Sequence, residues 1–297
     1  MNPRRLFSSN PWSIFIAWFV LVSLLYWETL RILIRQALAD DDASHILIVP
    51  LIVTWLLWNE RPQASQRQPF KLRGAFAFAV PAIALAILCI PQTASASGWA
   101  LAGSIVSFIL LLFAAFVSLF GVSLASRYWF PFAFALFAVP FPKPVLDRIV
   151  HSLQWGSAAV AAAVFDLSGL PVLRDGLVFR LPSFSIEVAK ECSGIRSSIA
   201  LLILAVLISH FSFTQFWKKV VFVAAGLVMM LVKNGVRIAT LTLLAEYVDR
   251  NFLFGRLHHE GGVVFFLFGL ALLLPLYWFL RRGEPGTKIL AASSSTI

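Results

Sequence analysis

Long apolar runs separated by short polar connections set the pattern of this chain. Runs near 12–27, 45–58, 75–93, 98–121, 194–211, 220–246 and 261–280 predict helices, most of them close to the ~20 residues that cross a bilayer core. The run at 45–58 is short for a crossing, and a start near Ile34 would lengthen it. Between 122 and 170 the pattern is harder to divide. Trp129–Val139 is apolar but carries Pro131 and stops at Pro140, and Phe141-Pro142-Lys143-Pro144 then interrupts any helix. From Val145 to Leu170 the helical period returns. There Arg148, His151, Gln154 and Ser157 form one polar stripe, expected to line a cavity or lie at the membrane interface. The segment 171–191 has another rhythm. Asp175-Gly176 is a turn signal, Leu177, Phe179 and Leu181 alternate with Val178, Arg180 and Pro182, and Ile186 and Val188 continue beyond. This predicts a short hairpin-like or extended element.

Composition places these helices in lipid. Hydrophobic residues make up 60% of the 297 positions and charged residues 13%, with a mean hydropathy of +0.86. A soluble domain is about a quarter charged, so this chain cannot cover a water-facing surface. The expected fold is an all-α polytopic bundle forming one integral membrane domain over 1–297. The net charge of +10 could suggest nucleic acid, but the basic residues gather in short connections. They are Arg4 and Arg5; Arg61, Arg67, Lys71 and Arg73; Lys218 and Lys219; Arg281, Arg282 and Lys288. That is the signature of cytoplasmic loops, so the expected partner is the lipid bilayer and not nucleic acid. No small-residue cleavage site follows the first run, which reads as a retained helix.

With Arg4 and Arg5 inside, segments 171–191 and 247–260 fall on the extracytoplasmic side, and 283–297 is a cytoplasmic tail, expected to be disordered. Residue 171 needs an odd number of crossings before it, so only one of 129–139 and 145–170 spans fully. About eight spans result, with both ends cytoplasmic. Of the two cysteines, Cys89 sits inside an apolar run, which argues against a disulfide framework.

Three polar clusters interrupt the apolar background. Glu191-Cys192-Ser193-Gly194-Ile195-Arg196-Ser197 opens the helix at 194. A thiol at a helix N-terminus with a cation one turn on ionises more easily, although Ser193 as an ordinary cap explains the same residues equally well. Lys233-Asn234-Gly235-Val236-Arg237 lies within the run 220–246, where ionisable groups are expensive and face a protein interior. Asn234 and Arg237 share one helical face. At 1.5 Å per residue Arg237 lies about 25 Å from residue 220, at the level of Cys192. Leu257-His258-His259-Glu260-Gly261-Gly262 precedes the last helix. Adjacent histidines point in different directions, and no third or fourth ligand accompanies them, so neither a metal nor another cofactor is expected. A thiol, a guanidinium and an imidazole at one membrane face are the equipment of acyl transfer.

These residues resemble the exosortase/archaeosortase family of membrane enzymes. The likeness rests on ECSGIRS at 191–197, NGVRI at 234–238, and His258 followed by Gly262 and Phe266. Ser44-His45 with Val49-Pro50, and Arg174-Asp175-Gly176, are weaker echoes. The resemblance implies a cysteine peptidase or transpeptidase with a catalytic set at Cys192, Arg237 and His258, His259 being the alternative imidazole. Supporting or substrate-binding positions would be Glu191, Arg196, Asn234, Arg174 and Asp175. It also implies, as partners, exported proteins ending in a sorting signal: a motif such as Pro-Glu-Pro, a transmembrane helix and a basic tail. Such systems often accompany exopolysaccharide assembly in the inner membrane. Val263 departs from the aromatic that commonly follows the glycine of the histidine motif. Two other classes compete with the enzyme. A transporter would line a path with Lys233, Arg237 and the 145–157 stripe, and a non-catalytic component of exopolysaccharide export would tolerate change in all three clusters.

Overall fold

The computed structural model describes residues 11–59, 72–93, 98–190, 194–253 and 262–284. Helices account for most of them, and the chain divides into two compact units, 1–146 and 147–297.

In the first unit, α1 (Pro11–Leu25) and α2 (Trp27–Ala39) meet at a 77° bend. Then come α3 (His45–Asn59), α4 (Leu72–Cys89), α5 (Trp99–Phe120), α6 (Val122–Arg127) and α7 (Trp129–Phe134). Helix α5 is the centre, because its Phe116, Val117 and Phe120 are buried against Phe15 of α1 and Phe132 of α7. These rings meet edge-on or tilted, as in Phe15–Phe116 at 5.9 Å and Phe116–Phe132 at 5.2 Å. One polar chain crosses this apolar interior. Ser107 Oγ on α5 donates to the Ala82 carbonyl of α4 (2.6 Å), so the Tyr26 hydroxyl must donate to Ser107 Oγ (2.6 Å). Tyr26 is the residue at the α1–α2 bend, which explains why the bend is fixed there.

An extension of the 45–58 helix back to Ile34 is not found. Residues 27–39 form their own helix, whose buried Thr29, Leu33 and Ala37 recur every four residues. Glu28 and Arg31 pair on its exposed side at 2.6 Å. A helix with one buried stripe and charges opposite packs on one side only, so it does not merge with the uniformly apolar α3.

The second unit is built from α8 (Lys143–Ser168, starting just before the division), α9 (Ile195–Ser212), α10 (Phe216–Tyr247) and α11 (Gly262–Arg281). The extended element expected at 171–191 is a three-stranded antiparallel meander of β1 (Leu173–Asp175), β2 (Val178–Arg180) and β3 (Ser185–Glu187). Gly176, with φ +64°, makes its first turn. The meander faces the helices through Phe179, which is fully buried and meets Phe165 of α8 edge-on at 5.2 Å. Phe179 shares a cluster with Leu181, Val188, Ile238 and Ala239, so the sheet is fastened to both α8 and α10.

Among the described residues, five stretches are long and apolar enough to cross a membrane singly: 74–92, α5, α9, α10 and α11. The pairs α1 with α2, and 129–138 with α8, qualify only as bent pairs, and α3 is shorter. The protein is a multi-pass membrane protein. The expected inner loop around 59–73, the histidine cluster and the residues after Glu284 lie largely or wholly outside the described residues, as do Glu191, Cys192 and Ser193.

Candidate active site

Helix α10 is the spine of the site. Its 32 residues extend about 48 Å, well beyond the ~30 Å apolar core. Helices α9 and α10 form an antiparallel hairpin. Near its turn, Gly226 faces Ala205, where an added Cβ would sit 3.0 Å from the Ala205 Cβ. At the far end the N-terminus of α9 reaches Lys233 and Asn234. Helix α11 is packed against the same stretch, with Gly269 facing Lys233.

Gly194 governs how the chain enters α9. It is the N-cap residue and holds φ +64°, the left-handed region where a side chain is strained. The space is also taken: a Cβ there would lie 2.7 Å from Asn234 Oδ1 and 3.6 Å from Lys233 Nζ. The glycine in the ECSGIRS run is thus explained by a close approach of backbone to two polar side chains.

Lys233 and Asn234 are buried, at 2% and 1% relative exposure respectively. Ser197 Oγ donates to the Gly194 carbonyl (3.0 Å) and accepts from Lys233 Nζ (2.6 Å). Asn234 Nδ2 donates to Ser157 Oγ of α8 (3.0 Å). Gly235 makes that last contact possible, because a Cβ there would collide with Val160 and come 2.7 Å from the Ser157 carbonyl oxygen. Polar groups in an apolar interior must be matched in this way.

Arg237 is half-buried, three residues or about 4.5 Å beyond Asn234 along α10. Helix α11 begins at Gly262, seven residues or about 10 Å before Gly269. Since α11 runs opposite to α10, its start is near the level of Thr240. Helices α9 and α11 therefore both begin at the end of the bundle where Arg237 lies.

The remaining expected positions separate into two groups. Arg196 is exposed on the first turn of α9. Arg174 is folded back on its own hairpin, where Nε donates to the Gly176 carbonyl (3.0 Å) and the guanidinium lies over Trp155 (5.5 Å) and Phe179 (5.8 Å). Asp175 pairs with Arg180 at 3.3 Å in an exposed contact. Both thus hold the meander's shape. Within the α8 stripe, Ser157 is buried on Asn234 and Gln154 donates to the Val188 carbonyl (2.7 Å), while Arg148 and His151 are exposed. Cys192, Glu191, His258 and His259 lie outside the described residues.

Gly269 and the contact between Lys233 and Ser197 are the additions that the sequence pattern alone did not supply. Lys233 was conspicuous as a charge inside an apolar run. Its partner, 36 residues earlier in the chain, was not.

No curated protein and no solved structure matches the chain. The family model for transmembrane exosortase (Exosortase_EpsH) matches residues 27–275. That match takes in all of α2 to α10 and most of α11, including every residue of the Gly194–Lys233–Asn234 junction. The chain belongs to the transmembrane exosortase family, a group of membrane sorting enzymes.

Proposed function

We propose that the protein is a cysteine transpeptidase or peptidase of the inner membrane that removes a C-terminal sorting signal from exported proteins. The substrate's transmembrane helix packs laterally against the enzyme and presents its motif, of the Pro-Glu-Pro kind, at the extracytoplasmic face. The Cys192 thiolate attacks the scissile carbonyl carbon, and Arg237 holds the oxyanion that forms. His258 gives a proton to the departing amine as the C–N bond breaks, leaving a thioester on Cys192. An acceptor nucleophile then attacks the thioester, passes its proton to His258, and frees the thiolate.

The observation that carries this reading is the seating of Gly194 against Lys233 and Asn234. Cys192 is two residues from Gly194, and two residues of chain reach at most about 7 Å. Arg237 is about one helical turn from Asn234. Those two lengths support the reading that the Cys192 sulfur and the Arg237 guanidinium act on one carbonyl. His258 is four residues before Gly262 in the chain, and α11, which starts at Gly262, begins at that same end of the bundle.

The test is co-expression with an exported protein that carries motif, helix and basic tail. Cys192→Ala should reach the membrane in normal amount while full-length substrate accumulates. Normal processing by that variant removes the proposal.

A further inference from the structure

We propose that α2 is an interfacial anchor, with one face sunk among phospholipid acyl chains and its charged face at the level of the head groups. Its direction is the first ground. Helices α1 and α2 meet at 77°, so the ~20 Å length of α2 advances only about 4 Å along the axis of α1. The Tyr26 hydroxyl fixes that bend by donating to Ser107 Oγ of α5 at 2.6 Å. Helix α2 therefore runs across the direction of crossing. The 15 residues of α1 supply about 22 Å along it.

The residues of α2 also sort onto three faces. Thr29, Leu33 and Ala37 are buried within the first unit. Glu28, Arg31 and Arg35 lie on the opposite side and are exposed, with Glu28 paired to Arg31 at 2.6 Å. Beside the charges runs a stripe of Trp27, Ile34 and Leu38, which are 65%, 49% and 71% exposed. At about 100° per residue these three side chains point within about 40° of one another. Neither bulk phase suits the whole outer surface. Hydrocarbon all round would surround three charged groups with lipid, and water all round would strand an indole and two aliphatic chains. The boundary satisfies both, because arginine snorkels toward the phosphates and tryptophan favours the head-group level. The apolar stripe is continuous with the lipid-facing side of α1, whose Leu21, Leu24 and Leu25 are exposed just before the bend. Helix α2 thereby sets the depth of α1 and, through Tyr26 and Ser107, of α5.

The experiment places the full-length protein, with Cys89→Ala and Cys192→Ala removing both native thiols, in vesicles of phosphatidylethanolamine and phosphatidylglycerol. A nitroxide is attached singly at Trp27→Cys, Ile34→Cys, Leu38→Cys or Arg35→Cys. Its collisions with oxygen, which concentrates in lipid, and with a water-soluble nickel chelate are then measured. Labels at 27, 34 and 38 should favour oxygen over nickel several-fold more than the label at 35. They should also share one depth to within about 4 Å, about 5–10 Å into the boundary between head groups and chains. Labels at 27 and 34 that differ in depth by about 10 Å, the rise of seven helical residues, would mean that α2 crosses the bilayer. Nickel access at 34 and 38 equal to that at 35 would place the stripe in water. Few collisions with either reagent would mean that a protein, a second copy of the chain included, covers it. Any of these three results overturns the proposal. Each label replaces an exposed side chain, and Leu38→Cys repeats the measurement if Ile34→Cys fails to fold.

Discussion

Two lysines on one helix are buried, and they differ in what faces them. Lys218 lies at the α9–α10 turn, fifteen residues or about 22 Å from Lys233. Its Nζ meets Glu284 Oε1 at 2.9 Å and donates to the Arg282 carbonyl at 3.4 Å. The other carboxylate oxygen of Glu284 receives the Thr214 hydroxyl (2.6 Å) and backbone amide (3.0 Å). At that end Lys218 has its opposite charge in place, and the contacts tie the end of α11 to the hairpin turn. Lys233 has a hydroxyl and a second cation for company. A buried charge with its partner in place holds architecture together. One faced, among the described residues, by a hydroxyl and a second cation is a candidate functional position.

The contrast is sharpened most by changing Arg237. Replacement by Gln should lower substrate processing by about 10²–10³-fold, the scale for losing one oxyanion donor, with little change in thermal unfolding. Equal losses of activity and melting temperature would make Arg237 a structural cation like Lys218.

Gly235→Ala comes next. The new methyl meets Val160 and the Ser157 backbone, neither of which can swing aside, so overpacking should cost about 1–3 kcal/mol. Gly226→Ala, facing only the Ala205 methyl at 3.0 Å, should cost less in the same unfolding assay. A reversed order would mean that α8 and α10 separate easily.

At the Lys218 end, Glu284→Gln should lower the melting temperature while leaving processing per folded molecule unchanged. The Thr214 hydroxyl first, and Lys218 second, pull the Glu284 carboxyl from 4.5 down to about 2. A carboxyl depressed in this way adds stability that is fully present above about pH 4.5 and is lost as pH falls through about 2. Melting curves between pH 5 and 2 should therefore fall more steeply for the parent than for Glu284→Gln. Parallel curves would show that the pair contributes nothing.

The smallest effect is expected at Asp175→Asn. Its pair with Arg180 is exposed on both sides, and such pairs are worth at most about 1 kcal/mol. A large loss of processing without loss of stability would make Asp175 a substrate contact after all.

Much of this organisation was legible in the chain. The apolar runs at 98–121, 194–211 and 261–280 correspond closely to α5, α9 and α11, because lipid demands uninterrupted apolar helices. Asp175-Gly176 and the alternation after it announced β1 and β2. Less visible was α2, whose boundary depends on Tyr26 reaching Ser107, 81 residues on. The depth of Asn234 and Arg237 followed from counting along one helix. The engagement of Lys233 with Ser197 did not, since it depends on the rotation of α9 about its own axis, which no local period records. Gly269 gave no warning either, as glycine is unexceptional in a membrane helix.

The meander's anchorage has a mechanical consequence. Phe179 shares its apolar contacts with Ile238 and Ala239, the two residues after Arg237. A displacement of the sheet therefore pulls on the same turn of α10 that carries the guanidinium. The position of the meander and the orientation of the Arg237 guanidinium are linked like two beads on one short string.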